Sequence, residues 1–139
     1  MGRFSLSELP LESLSTLAIP AAAGAQVSFR GLVRNHNEGR QVVALAYEAY
    51  PALALSEGEA ILEEACMNFG LEDARAVHRV GTLAIGEQAV IVEVASGHRG
   101  EGFAACRWII DQIKERVPIW KHERYAEGDQ EWVYCRHQA

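Results

Sequence analysis

Residues 89–95 read Ala-Val-Ile-Val-Glu-Val-Ala, and a strand of that composition has few places to go. Side chains alternate across a strand, so Val90, Val92 and Val94 fill one face. Ile91 and Ala95 make the other face largely apolar too. A strand apolar on both faces belongs in the middle of a sheet, covered on both sides. The rest of the chain must supply its neighbours and its cover. With 139 residues, 49% hydrophobic and 23% charged, the chain is read as one globular domain, 1–139, with a real core.

The pattern on either side of that strand alternates between strand and helix. Residues 10–17 suggest a short helix entered at Pro10 and closed before Pro20. Residues 25–34 alternate as a half-buried strand, with Leu32 the exception on the polar side. Asn35 to Arg40 is a polar loop, and residues 41–50 form a second strand stopped by Pro51. The two strands together suggest a hairpin with a long polar tip. Ser56-Glu57-Gly58-Glu59 has the form of a capping box opening a helix. That helix would bury Ile61, Leu62, Ala65, Cys66 and Phe69 and stop at Gly70. Residues 75–83 read as a strand, and Gly86 turns the chain into 89–95. A helix of about four turns ends near Arg116, with Phe103, Cys106, Ile110, Ile113 and Val117 as its buried stripe. Pro118 closes it, and short strands at 119–123 and 132–135 follow. The order is α+β.

Charge and cysteine content narrow the function classes. A net charge of −6 argues against a general nucleic-acid binder, which needs a broad basic face. No apolar run approaches the roughly 20 residues that span a bilayer. The N-terminus lacks the pattern of a secretory signal. Cys66, Cys106 and Cys135 are odd in number and have no zinc spacing, which suits a reducing, cytoplasmic compartment. No metal site and no resident cofactor are expected. A Walker loop, a G-x-G-x-x-G after a strand and a Ser-His-Asp spacing are all missing.

The chemistry-bearing residues are basic. Lys114 and Lys121 are the only lysines, seven residues apart. An arginine stays charged, whereas a lysine amine crowded by cations or desolvated can exchange its proton. The plainer alternative is a pair of ordinary surface charges. At Ser96-Gly97-His98-Arg99-Gly100 a strand crosses into a helix N-terminus, where free backbone N–H groups favour anions. A solvated turn is the competing explanation there. Arg34-Asn35-His36-Asn37 offers more donors, or a simple hairpin tip. His78 and Arg79 suggest a hydrogen-bonded structural pair. Trp120 and Trp132 suggest core or interface anchors. Cys106 on the buried stripe suggests inert packing rather than sulfur carriage.

Taken in order, these pieces resemble the large, catalytic subunit of molybdopterin synthase. The carrying motifs are His78-Arg79-Val80-Gly81-Thr82-Leu83, Gly86-Glu87, Ser96-Gly97-His98-Arg99, Phe103-Ala104-Ala105-Cys106, Asp111 with Lys114, and Pro118-Ile119-Trp120-Lys121-His122-Glu123. Gly128-Asp129 with Trp132-Val133 continues the match. Upstream, residues 31–37 and Tyr50-Pro51 fit too, so the resemblance covers nearly everything after about residue 25. It implies an α/β-hammerhead-like core with an added antiparallel β subdomain. It implies a sulfurtransferase that converts cyclic pyranopterin monophosphate to the dithiolene-bearing molybdopterin. The sulfur donor would be a thiocarboxylate on the C-terminal Gly-Gly tail of a small ubiquitin-like subunit. The assembly implied is a homodimer of large subunits within a heterotetramer.

The resemblance also implies roles. Lys114 and Lys121 match the family's two active-site lysines. Arg34, His98, Arg99 and Arg136 match residues of its pterin and phosphate pocket, part of which is supplied across the dimer. Arginines and a helix N-terminus suit a phosphate-bearing substrate. Lys121 is expected as the main acid–base residue, aided by nearby arginines, and Lys114 as the guide for the incoming tail. Two other classes stay open. A non-catalytic module that docks a ubiquitin-like Gly-Gly tail would need no phosphate site, so the lysine pair with Arg34 and Arg99 discriminates against it. An unrelated phosphate-ester enzyme would need a metal-binding cluster, and no usable spacing of carboxylates and histidines supplies one.

Overall fold

The computed structural model describes residues 2–14, 17–128 and 130–134. Within them β1 (Phe4–Ser7) leads through a single 3-10 turn at Leu11–Ser13 to β2 (Ala25–Leu32), β3 (His36–Asn37) and β4 (Arg40–Ala49). Then come α1 (Pro51–Phe69), β5 (Asp73–Arg79), β6 (Gly81–Leu83) and β7 (Gln88–Ser96). α2 (Arg99–Arg116), β8 (Ile119–Tyr125) and β9 (Gln130–Tyr134) follow. The strands form two sheets. One has the order β1-β5-β7-β2, the other β3-β4-β8-β9 with β6 also pairing with β4. Only the β1–β5 pairing in the first sheet is parallel.

β7 lies inside the first sheet, as its apolar faces require, and nearly every residue of it is buried. Val90, Val92 and Val94 pack against Ile61 and Leu62 of α1 and Ile109 and Ile113 of α2 in the main core. On the opposite face Ile91 meets Val77 and Leu11. The short helix expected at 10–17 is only the turn at Leu11–Ser13. It serves as the cover for that face. Just beyond it the Leu17 N–H donates to the buried Glu93 carboxylate at 2.9 Å, which ties the segment down.

The hairpin expected between 25–34 and 41–50 does not form. β2 pairs with β7 and β4 with β8, so the two strands lie in different sheets. Alternation reports which face of a strand is buried, not which strand lies beside it. The reversal is made locally instead. Glu38 and Gly39 both have positive φ (50° and 78°), the conformation of a tight two-residue hairpin turn, and they join β3 directly to β4. The polar loop is thus a miniature hairpin.

The capping box is also overturned. α1 begins at Pro51, with Tyr50 as N-cap, and Ser56 lies inside it. Proline lacks the N–H that a first-turn residue would leave unpaired, so Pro51 starts the helix as naturally as it ends the strand. Glu59 instead accepts the backbone N–H groups of Arg3 and Phe4 at 2.7 and 3.2 Å, pinning β1. Gly70 ends the helix as expected. The strand expected at 75–83 is two strands broken at Val80, β5 in one sheet and β6 in the other.

α2 runs five turns rather than four. Its buried line is Gly102, Ala105, Cys106, Ile109, Ile110 and Ile113, and Phe103 is 62% exposed. The first turn sits so close to the sheet that a Cβ on Gly102 would lie 2.7 Å from Ser96 Oγ. Contact therefore centres on small residues, which rotates Phe103 outward. The mixed architecture of two helices and two sheets is the expected α+β class.

Candidate functional site

β8 carries the local logic of the site. Its burial alternates along the strand, so Ile119, Lys121, Glu123 and Tyr125 face inward. Register with β4 sets Tyr47 opposite Lys121 and Leu45 opposite Glu123. Lys114 comes from the last turn of α2, immediately before the chain turns into β8. Arg34 follows β2. Its neighbours are held on both sides: Val33 N–H donates to Glu87 O at 2.9 Å, and Val42 N–H to Asn35 O at 2.9 Å.

These elements enclose a cavity of about 340 Å³ between the two sheets and the end of α2. Leu45, Val90, Ile110, Ile113 and Ile119 contribute apolar walls. Arg30, Arg34, His36, His78, Lys114, Lys121 and Glu123 contribute charged and titratable groups, with Tyr47 and Asn37 beside them. A mostly apolar concavity with a few converging polar groups is the usual form of a small-molecule site. Four lysine and arginine side chains, Arg30, Arg34, Lys114 and Lys121, make it suited to an anion.

Lys121 does not stand among arginines alone. Its Nζ lies 3.8 Å from Glu123 Oε2, and both side chains are buried. Glu123 Oε1 in turn accepts from Asn37 Nδ2 at 2.8 Å and from the Tyr125 hydroxyl at 3.1 Å. A desolvated carboxylate with these donors satisfied is a strong local counter-charge for an ammonium. His78 is buried, hydrogen-bonded through Nδ1 to the Arg79 carbonyl at 2.7 Å, and edge-on to the Tyr47 ring at 4.9 Å. Burial, assisted by the charge of Lys114, pushes its pKa down to about 4 despite that hydrogen bond. At neutral pH His78 is a neutral imidazole in a basic cavity.

The other expected residues lie elsewhere. His98 and Arg99 are exposed at the start of α2, fifteen residues before Lys114. At 1.5 Å per residue that is roughly 22 Å of helix, too far to reach the same cavity within one chain. Arg136 and Cys135 lie outside the described residues. Cys106 is buried, and desolvation raises its thiol to about 11, so it packs rather than reacts. Trp132 is 54% exposed and Trp120 half-buried, so neither is a core anchor. With Tyr50 and Glu48 they border a second, shallower hollow of about 260 Å³. Among the described residues, no group of three or more His, Cys, Asp or Glu side chains is placed to hold a metal ion. Nor is any helix there long and apolar enough to cross a membrane.

Sequence reasoning gave Glu123 and Tyr125 no role, and read Asn37 only as one donor of the 34–37 loop, with no link to Glu123. The signal for two of them was present: residues 121, 123 and 125 share one face of any strand drawn through them. Asn37 had no such signal, because its approach depends on the β3–β4 turn.

Residues 5–116 match the family model described as MoaE protein. The molybdopterin synthase catalytic subunit of Pyrococcus abyssi is 44% identical over 119 residues, which is 86% of this chain and 80% of that one. The crystal structure of molybdopterin synthase from Staphylococcus aureus superposes with a TM-score of 0.83 at 32% identity, covering 95% of this chain and 96% of the other. A complex of subunits 1 and 2 of molybdopterin-converting factor from Helicobacter pylori shares the fold, with a TM-score of 0.66 at 21% identity over 85% of this chain and 75% of that one. The chain therefore belongs to the family of molybdopterin synthase catalytic subunits.

Proposed function

We propose that the cavity takes the phosphate-bearing pterin, cyclic pyranopterin monophosphate, and that sulfur is added to it there to give molybdopterin. The observation that carries this reading is the convergence of Lys114, Lys121 and Arg34 on one cavity with apolar walls. The sulfur arrives as the thiocarboxylate of a small ubiquitin-like partner. The two-subunit complex from Helicobacter pylori supports a partner of that kind. Lys114, half-buried at the helix end, attracts the anionic tail by charge. Lys121 faces the substrate as an ammonium, because Glu123 lies against it. It donates a proton as oxygen leaves the pterin side chain and the thiocarboxylate sulfur bonds in its place. Water then cleaves the bond between that sulfur and the tail's carbonyl carbon, returning the tail as a carboxylate, and Lys121 regains its proton from that water.

The placement of His98 and Arg99 supports a homodimer as the working unit. Roughly 22 Å of helix separates them from their own chain's Lys114. They serve a cavity in a second copy, as donors for the phosphate at a helix N-terminus. Arg136 is assigned to the same pocket, and the compartment is the cytoplasm.

Reconstitution tests the reading. This chain is mixed with a thiocarboxylated small subunit and cyclic pyranopterin monophosphate, and the dithiolene product is sought by mass spectrometry. Product that requires both proteins and disappears with Lys121→Ala is the expected result. A tight complex that yields no product would leave only a tail-docking module.

A further inference from the structure

The two oxygens of the buried Glu123 carboxylate have different partners. Oε1 accepts from Asn37 Nδ2 at 2.8 Å and from the Tyr125 hydroxyl at 3.1 Å. Oε2 lies 3.8 Å from Lys121 Nζ. The last torsion of a glutamate is soft, so a carboxylate held at one point can swing. Two donors converging on one oxygen remove that freedom and leave the other oxygen aimed at the lysine. The donors come from different elements: Asn37 from β3, next to the tight Glu38–Gly39 turn, and Tyr125 from the end of β8.

Tyr125 is itself constrained. The Arg40 guanidinium lies over its ring, 3.7 Å from the centroid, and pairs with Glu127 at 2.7 Å and Glu131 at 3.7 Å. The hydroxyl is also 3.3 Å from Glu131 Oε2. It has one proton, so it serves one carboxylate at a time and cannot hold both. Burial and the adjacent Glu123 and Glu131 push its pKa up to about 12, so it stays a hydroxyl across the working range.

We propose that Asn37 and Tyr125 are positioning residues for Lys121, acting through Glu123 by clamping one carboxylate oxygen so that the other holds the ammonium at the cavity wall. The inference rests on the role given to Lys121 above. Among the described residues, the charged and titratable groups around that lysine are Glu123 on its own strand, Tyr47 opposite it on β4, and His36, His78, Lys114, Arg30 and Arg34 lining the same cavity. Those facing Tyr125 are Glu123, Glu131 and Arg40.

The test is a double-mutant cycle in the reconstituted two-subunit enzyme, reading kcat and KM separately. Tyr125→Phe keeps the ring under Arg40 and removes only the hydroxyl. It should lower kcat about tenfold while KM for the pterin stays within about twofold. Added to Glu123→Gln it should cause little further loss, because its route to Lys121 is already cut. Asn37→Ala should show the same pattern, and it stands in if Tyr125→Phe fails to fold. Losses that multiply independently in the double variants, or single variants with unchanged kcat, would overturn the proposal. Lys121→Ala separates the two levels. If it keeps full turnover, the assignment of Lys121 fails and the positioning role with it. If it is inactive while the cycle is additive, only the positioning role fails.

Discussion

β7 turns three valines to the main core, whereas the inward face of β8 is mostly charged or polar. β7 presents Val90, Val92 and Val94 to the two helices. β8 presents Ile119, Lys121 and Glu123 to the cavity, with Tyr125 buried behind Glu123. The pleat is the same and the consequences differ. Valines in contact with Ile61, Leu62 and Ile109 stabilise by leaving water, and any one of them tolerates an apolar replacement of similar size. A buried lysine and glutamate are costly to desolvate and persist only because each has partners. The first strand makes the scaffold, and the second places charge in a hollow that the scaffold keeps open. An inward-facing ion pair is poor evidence for stability, and here it marks the site.

The sharpest way to break that contrast is to remove one group from each strand's side of the core. Lys121→Ala should lower turnover by about 10²–10⁴-fold, the usual range for a lost general acid or base. It leaves Glu123 without one counter-charge, so some stability is lost too. Ile109→Ala, on the helix facing β7, should do the reverse. Ile109 is fully buried. Truncating such a residue costs about 2–5 kcal/mol through lost transfer energy and a residual cavity. Denaturant titration and turnover of the surviving folded fraction measure both. If Ile109→Ala lowered turnover per folded molecule as strongly as Lys121→Ala, the division into scaffold and site would be wrong.

Much of this molecule was legible in its residues, and the exceptions share a cause. The central place of β7, the stop at Gly70 and the end of α2 at Arg116 follow from local composition, which is where sequence patterns are strongest. The convergence of Lys114 and Lys121 follows from a helix that ends just before a strand. The pairing of β2 with β7 rather than β4 did not follow, because nothing in an alternating strand names its neighbour. The capping box failed because Pro51 supplies an earlier start that Ser56 cannot compete with. The Asn37–Glu123 contact, 86 residues apart in sequence, depends on β3, β4 and β8 assembling side by side in the second sheet. Long-range polar contacts leave no periodic trace.

His78 gives the comparison a pH axis. Its pKa is about 4 in the fold against an ordinary value of 6.5. The folded state thus favours the neutral ring, and the unfolded chain binds the proton more readily. Stability from this group is fully present above pH 6.5 and is lost as pH falls from 6.5 towards 4. The shift amounts to up to roughly 3 kcal/mol at the acid end of that window. Denaturant midpoints at pH 7.5 and pH 5 should differ more in the natural chain than in His78→Gln, which cannot charge. Equal pH sensitivity in the two would mean that other groups carry the acid loss.

The smallest effect expected is at Phe103. Helical spacing alone places it on the buried stripe with Cys106 and Ile110, and the close approach at Gly102 turns it out to 62% exposure. A residue that exposed has little apolar area to lose on truncation. Phe103→Ser should therefore change unfolding free energy by no more than about 0.5 kcal/mol, as for a surface substitution. A loss near that of Ile109→Ala would show that this face of α2 is covered in the assembled protein. It would then belong with β7's side of the comparison, as scaffold shared between subunits rather than surface. Repeating the titration over a range of protein concentrations separates the two cases, because burial between subunits makes stability depend on concentration and burial within one chain does not.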